Sequence, residues 1–542
     1  MALSVLERKA AGAYYTSATV CDLLARWAVR SATDAVLEPC CGEGVFLRAV
    51  ARRTSELGGD NRGANLTAVE LDDQARDRAV VEAPGARFFS EDFFELLPPR
   101  LGEFEAVIGN PPFVRYHLFT GRTRERALWL AQTLGVRLSG LTSAWVPFLL
   151  HATRFLKSGG RMAVVAPYEL TYAIYSRPFV EYLARHFSSV TVLVFQEPLF
   201  PELNEKAVLL LCDGYGGTTS TLGFIHAASV ADVATGEIRA DASVGVRDLA
   251  AGAARIRLLE AQHDVQGLYA RLGQHERVVR LGDVASLTIG YVTGDNRFFH
   301  LSMEKAASLG LPPSALQAAV RKGSDFKAVG LALTAGDAQR LTETGDNLLF
   351  YPAEEASRHP AIAAYILAGE SDGGASDRFK SRARRTWWRV PGVQAPDMFL
   401  TVFGHAGPRL VANDARVVAT NTVLVLRLLP GGPPALVLAA SAHTSLAFLS
   451  AEVEGHHLGG GALKFEPSEA RRWMLPAGVA VPQDALAEID MALRKGDPDL
   501  AWAVADRVFL VEGLGLSQHE VSSLQEAVRS LREGRSVRRQ RS

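Results

Sequence analysis

The chain has 542 residues, enough for two or three domains that each bury a core. Apolar residues make up 48% and charged residues 22%, which excludes a disordered chain. Lys plus Arg (58) nearly cancels Asp plus Glu (59), so net charge carries no nucleic-acid signal and any basic surface must be local.

The four cysteines, Cys21, Cys40, Cys41 and Cys212, fit neither a disulfide framework nor a zinc site. They read as buried thiols in a reducing compartment, and no metal is expected. The N-terminus lacks the apolar core of a signal peptide, and no uncharged apolar run reaches ~18 residues. A soluble, cytoplasmic protein with no membrane partner is the expectation.

In chain order, Gly12-Ala13-Tyr14-Tyr15-Thr16 comes first, before a helix expected over Val20 to Ala32. Strand-like runs then alternate with helical spacing: Ala35 to Leu37, Leu66 to Val69, Ala106 to Gly109, Met162 to Ala166, Val190 to Phe195 and Ala207 to Leu211. Val45 to Thr54 and Trp145 to Leu156 have helical periodicity. Strands alternating with helices imply an α/β fold with a doubly wound, mainly parallel sheet. The Gly- and Thr-rich residues 213–222 mark a turn or a boundary, and 223–260 return to short strand-like pieces.

Within the first half, Glu38-Pro39-Cys40-Cys41-Gly42-Glu43-Gly44 follows an apolar strand and opens a helix. Gly42 and Gly44 permit a sharp turn and the close approach of a ligand. Alone, this turn fits a phosphate or dinucleotide loop equally well. About two dozen residues on, Glu70 ends the next strand, where a carboxylate can accept ribose hydroxyls or favour a helix N-terminus. Asp92-Phe93 pairs an acceptor for an exocyclic amine with a ring to pack an adenine face.

Asn110-Pro111-Pro112-Phe113 ends the Ala106–Gly109 strand. Two prolines make a stiff turn without N–H donors. An exocyclic amine on a heterocycle is a poor nucleophile because its lone pair is delocalised. The Asn110 side-chain oxygen and the Pro111 carbonyl can accept its two protons, favour a pyramidal nitrogen and free the lone pair for in-line attack. Phe113 offers a face to a flipped-out base.

In this order the motifs resemble the gamma-class amino-methyltransferases of DNA, typified by the TaqI adenine methyltransferase and including Eco57I-type modification methylases. The resemblance covers residues 9–212 and implies a class I methyltransferase sheet with S-adenosylmethionine as cofactor. Carried over by position, Tyr15 and Thr16 would border its methionine part. Glu38, Pro39, Cys40, Gly42 and Gly44 would form the floor, next to Asn110. Glu70 would hold the ribose, and Asp92 and Phe93 the adenine. The loop departs from the commoner Asp-Pro-Ala-Cys-Gly-Ser-Gly form at Glu38, Cys40 and Glu43. Phe200, just before the Ala207–Leu211 strand, is expected as a second stacking aromatic; a core residue or loop anchor is the alternative.

Leu287-Thr-Ile-Gly290-Tyr-Val-Thr293-Gly294-Asp295-Asn296-Arg297-Phe298-Phe299 resembles the segment that opens target-recognition regions of gamma-class DNA enzymes, as more loosely do Arg409–Asn413 and Ala419–Asn421. The run Arg378 to Arg389 concentrates cations and aromatics; Arg378, Lys380, Arg382, Arg384, Arg385 and Trp387 are the DNA-contact candidates. A surface strand with a buried tryptophan is the alternative.

The expected organisation is a catalytic domain over 1–260, an α+β target-recognition domain over 278–515 and a helical, Arg-rich tail over 516–542. Residues 261–275 read as a helical link. The implied activity is site-specific transfer of a methyl group to N6 of a flipped-out adenine in double-stranded DNA. Cytosine-N4 methylation, RNA or protein-glutamine methylation, and a catalytically inactive DNA-binding subunit are the alternatives. No segment before Gly12 is long enough for a nuclease, so a separately encoded restriction endonuclease is the expected partner if one exists.

Overall fold

The computed structural model describes residues 16–114, 116, 118–140, 142–171, 174–195, 197, 199–200, 207–233, 239–250, 257–258, 261, 263–371, 373–457 and 462–536. The chain divides into two compact units, residues 1–256 and 257–542, each described by itself.

In the first unit, helix α1 (Ala18–Ala28) starts at Ser17, whose hydroxyl accepts from the Val20 amide. Strands β1 (Val36–Glu38), β2 (Leu66–Val69) and β3 (Arg87–Phe89) alternate with helices α2 (Val45–Glu56) and α3 (Asp73–Glu82). β4 (Phe104–Gly109) leads through α4 (Gly121–Thr133) and α5 (Trp145–Thr153) to β5 (Leu156–Pro167). β6 (Phe187–Phe195), β7 (Ala207–Tyr215), β8 (Thr221–Ala227) and β9 (Ala242–Gly245) complete a nine-stranded sheet ordered β3-β2-β1-β4-β5-β7-β6-β8-β9.

Strands β3 to β5 along this order are mutually parallel, and β7 enters antiparallel between β5 and β6. This is the class I methyltransferase sheet. β1 and β2 are buried at every residue, as parallel strands covered on both faces must be. The Gly-rich residues after Asp213 turn within the unit, since β8 and β9 extend the same sheet. The strand order reverses between β1 and β4, with β2 and β3 added on one side and β5 on the other, which opens a crevice at their C-terminal ends.

The second unit holds two four-stranded sheets. Ala285–Ile289, Val423–Leu428, Met398–Thr401 and Leu410–Ala412 form one, antiparallel throughout. His300–Leu301, Leu348–Phe350, Leu316–Val320 and Val418–Ala419 form the other, closed by a parallel pair.

The C-terminal segment expected to be helical packs into the second unit. Gln518–Ser536 is one helix that buries Leu524, Val528 and Leu531 against Leu446 and Leu449 and against Val265, Leu268 and Leu272 of the helix His263–Leu272. Apolar residues at helical spacing outweigh the arginines between them. Asp506, inside a π-helical turn, ties this helix down. It accepts from the Ser445 amide and hydroxyl at 2.6 Å each and from Gln525 at 2.9 Å. Among the described residues, no single helix is long and apolar enough to cross a membrane.

Candidate active site

The chemistry-bearing residues stand at the ends of four neighbouring parallel strands. Glu38 closes β1, Glu70 follows β2, Asp92 lies three residues past β3, and Asn110 follows β4. The order β3-β2-β1-β4 therefore gathers residues 72 positions apart in sequence onto one sheet edge.

Backbone bonds fasten the glycine loop to that edge. Cys41 N donates to Val69 O at 3.0 Å, and Glu70 N donates to Phe89 O at 3.0 Å. The Glu70 carboxylate accepts from Gly42 N at 2.8 Å and from Asp72 N at 2.9 Å, so it shapes the loop while keeping lone pairs for a ligand.

The two loop glycines do different work. Gly42 (φ +53°) has nothing within 4 Å of the place a Cβ would occupy, so it faces open space. At Gly44 (φ +86°) a Cβ would meet Ala79 Cα at 2.8 Å. Gly44 thus also serves the packing of α2 onto α3.

Glu38 is 1% exposed, and its Oε2 has no hydrogen-bond partner. Burial, reinforced by the nearby Glu70 charge, pushes its carboxyl well above the usual range. The same burial raises the thiols of Cys40 and Cys41, which are therefore neutral.

Asn110 is held from two sides. Its Nδ2 donates to Thr16 Oγ1 at 3.2 Å, and its backbone carbonyl accepts from Cys40 Sγ at 3.1 Å. Its Oδ1 is buried and unpartnered. Buried polar atoms are nearly always satisfied, so an unpaired acceptor at a strand end calls for a specific explanation. Pro111 and Phe113 are buried, as is Phe200. Tyr15 lies outside the described residues.

Asp92 caps the turn Phe93–Glu95 by accepting from Phe94 N at 3.0 Å, and its other oxygen accepts from the Thr123 hydroxyl at 3.1 Å. Phe93 differs from expectation. It is 3% exposed and packs at 4.9 Å from Phe148, 4.7 Å from His151 and 5.3 Å from Phe155. The ring is committed to the core rather than free to cover a base.

His151 is not among the residues expected at the site. It sits on the apolar helix α5, fully buried, and its Nε2–H is shared between the carbonyls of Phe93 (3.1 Å) and Leu96 (3.0 Å). Burial lowers its pKa to about 4, so it is a neutral donor that pins the Asp92 turn. A polar residue that interrupts the apolar run 145–152 is the only mark it leaves in the sequence.

In the second unit the recognition-like segments come together. Tyr291 N donates to Ala419 O and Asn421 N to Tyr291 O, both at 3.0 Å. A Cβ at Gly290 would overlap the carbonyl oxygens of Ala419 and Thr420, which explains that glycine by close backbone approach. Asp295 caps the turn Asn296–Phe299 and pairs with Arg378 at 3.1 Å.

Two DNA-contact candidates are corrected. Arg384 donates to the carbonyls of Val292 (2.9 Å), Thr293 (2.5 Å) and Trp387 (3.1 Å), and its guanidinium lies 5.5 Å from the Phe299 ring centre. Trp387 donates to Glu370 Oε1 at 3.0 Å and packs 5.1 Å from Phe298. Both are struts of the fold. Lys380, Arg382 and Arg385 are exposed, and the last two make no ion pair among the described residues.

Residues 3–175 match the family model N-6 DNA Methylase, and residues 258–510 match the C-terminal domain of Type II methyltransferase M.Eco57I. Type II methyltransferase M.AccI of Acinetobacter calcoaceticus is 21% identical over 87% of this chain and 86% of its own length. Type II methyltransferase M.XamI of Xanthomonas campestris pv. amaranthicola is 25% identical over 86% and 85%. A solved structure of the type IIL restriction-modification enzyme MmeI in complex with DNA superposes with a TM-score of 0.51 at 12% identity, over 99% of this chain and 77% of that one. For the type IIG restriction endonuclease BpuSI the TM-score is 0.45 at 15% identity, and this chain spans 66% of that protein.

Proposed function

The chain belongs with the type II DNA methyltransferases, joining an N-6 DNA methylase domain to an M.Eco57I C-terminal domain, and on that premise we propose that it methylates N6 of adenine at a specific sequence in double-stranded DNA. The observation that carries this is Asn110 Oδ1, a buried acceptor without a partner at the head of Asn-Pro-Pro-Phe.

S-adenosylmethionine is the methyl donor of this domain and supplies an electrophilic methyl group on a sulfonium. The residues present fit it. Glu38 offers an unpaired buried oxygen to a cationic ligand, Gly42 leaves room where a Cβ would stand, and Glu70 keeps acceptor capacity for ribose hydroxyls. Asp92 is the acceptor for an exocyclic amine.

Asn110 Oδ1 and the Pro111 carbonyl accept the two protons of the target amine. Thr16 fixes the amide so that its oxygen, not its nitrogen, faces the amine. These fixed dipoles stabilise the positive charge that develops on the nitrogen. The target base must leave the duplex to reach this turn, which costs a few kcal/mol. Stacking on Phe113 and Phe200, worth ~1–3 kcal/mol per base, offsets part of that cost. Lys380, Arg382 and Arg385 contact phosphates; Arg378 does so when released from Asp295. A nuclease encoded elsewhere would share the same target.

Duplex DNA incubated with the protein and methyl-labelled S-adenosylmethionine, then digested to nucleosides for mass spectrometry, tests this. N6-methyladenine is expected. N4-methylcytosine alone overturns the choice of base, and label in RNA or protein but not in DNA overturns the choice of polymer.

A further inference from the structure

Within the second unit, Gln317, Val393 to Ala395 and Ala415 to Val418 surround a concavity of about 360 Å³. Arg416 stands on its rim and is the non-glycine residue with positive φ (56°) among the described residues. Side chains avoid this region because Cβ crowds the following carbonyl. A residue held there against its preference is a marker of function.

The turn around Arg416 is rigid. Buried Asn413 donates from Nδ2 to Pro396 O and Val417 O at 2.8 Å each, and its Oδ1 accepts from Val417 N at 3.1 Å. The guanidinium of Arg416 is 71% exposed, with Asp397 at 3.7 Å behind it. Gln394 lines the same concavity as Arg416, and its Oε1 accepts from Arg427 Nη2 at 2.6 Å. That bond fixes the orientation of the amide, whose NH₂ group carries two donors. Arg416, Arg427 and Gln394 are all exposed.

We propose that Arg416, Arg427 and the Gln394 amide form a donor-rich surface that reads guanine edges in the major groove of the DNA target. Guanine presents two acceptors there, O6 and N7, whereas adenine presents an acceptor beside a donor. The exposed guanidinium forks of Arg416 and Arg427 match the first pattern and leave a donor opposed by a donor in the second. The unpaired arginines Arg382 and Arg385 play the other part, holding phosphates without regard to sequence.

This rests on the DNA-methylation reading above, and the test separates the two. Methylated positions are mapped genome-wide in cells expressing wild type, Arg416→Gly, Arg416→Lys and Gln394→Ala. Arg416→Gly removes the backbone strain, so its melting temperature should equal or exceed that of wild type, and a change in specificity cannot be assigned to unfolding.

The wild-type target is expected to contain a G·C pair that becomes degenerate in Arg416→Gly. Discrimination in kcat/KM should fall there by roughly 5- to 150-fold, the worth of one bidentate contact. Arg416→Lys keeps the charge but loses the fork, and should be only partly rescued. Arg382→Ala and Arg385→Ala should weaken binding at every sequence alike. Unchanged targets in Arg416→Gly and Gln394→Ala, with wild type methylating normally, overturn the inference alone. A wild type that methylates no DNA overturns the function as well.

Discussion

Replacing Asn110 by Ala and Thr16 by Val, singly and together, probes how the amine is activated. Asn110→Ala removes Oδ1, a fixed dipole aimed at developing charge, and such a loss lowers the rate by ~10²–10³. Thr16→Val keeps the shape but removes the oxygen that receives Asn110 Nδ2 at 3.2 Å. One neutral hydrogen bond is worth about 0.5–1.5 kcal/mol, so the orienting loss should slow transfer by roughly 2- to 12-fold. Because Thr16 acts through the amide, Thr16→Val should cost nothing further once Asn110 is Ala; coupling of this kind is what a double-mutant cycle isolates. Single-turnover transfer of labelled methyl to duplex DNA reads the chemical step directly, and circular dichroism checks that each variant folds. A near wild-type rate in Asn110→Ala would refute activation by the amide oxygen. Additive losses in the double variant would place Thr16 against the cofactor alone.

The remaining expectations concern the loop, two titrations and the second unit. Gly42→Ala should lose ~1–2 kcal/mol from its left-handed backbone and bind S-adenosylmethionine poorly, whereas Gly44→Ala should lose about 1–3 kcal/mol more through overlap with Ala79; equal melting temperatures would contradict their separate roles. Glu38 binds its proton more tightly folded than unfolded, so the ligand-free protein should lose stability as pH rises from the usual carboxylate range toward the raised folded value; Glu38→Gln should flatten that slope in thermal melts while weakening cofactor binding by calorimetry. His151 is the opposite case. Its folded pKa of about 4 lies below the unfolded value, so stability should fall as pH drops from about 6.5 toward 4, by up to ~3 kcal/mol from this residue, and His151→Gln, which keeps a donor for Phe93 and Leu96, should blunt the loss; His300, also lowered to about 4, adds to the same window. Arg384→Ala should lower the melting temperature of the protein, while Arg382→Ala and Arg385→Ala should leave it unchanged and reduce the salt slope of DNA binding by ~0.9 each; stability effects in the reverse order would undo the assignment of struts and contacts.

The parts of the fold visible in the sequence are those encoded by local rules. Apolar runs gave β1, β2 and β4, and the acids and Asn110 at their ends were legible because a parallel sheet exposes its ligand face where strands stop. Tertiary partners were not legible. Nothing local says that Gly44 faces Ala79, that Phe93 packs on Phe148 and Phe155, or that the Thr16 hydroxyl reaches an amide 94 residues away. In the run Arg378–Arg389 the composition was right for a nucleic-acid surface, yet Arg384 found three backbone carbonyls and Trp387 found Glu370. Cations and aromatics satisfy a fold as readily as a phosphate, and only burial separates the two uses. In the helix Gln518–Ser536 the same holds, since Arg532 lies over the Phe448 and Trp502 rings and donates to Ala406 O at 2.6 Å.

On the proposed mechanism, the two acceptors at the Asn110–Pro111 turn would count the protons of the target amine. The unmethylated amine brings two N–H groups and satisfies both oxygens. After one transfer and loss of a proton, the amine keeps a single N–H, and one buried oxygen is left facing nothing. An unsatisfied buried acceptor costs ~1–3 kcal/mol, so the once-methylated base would bind about five- to hundredfold less tightly than the unmodified one. The same arithmetic opposes a second round of transfer on that nitrogen. On the proposed mechanism, the turn that activates the amine would also favour unmodified over once-methylated DNA.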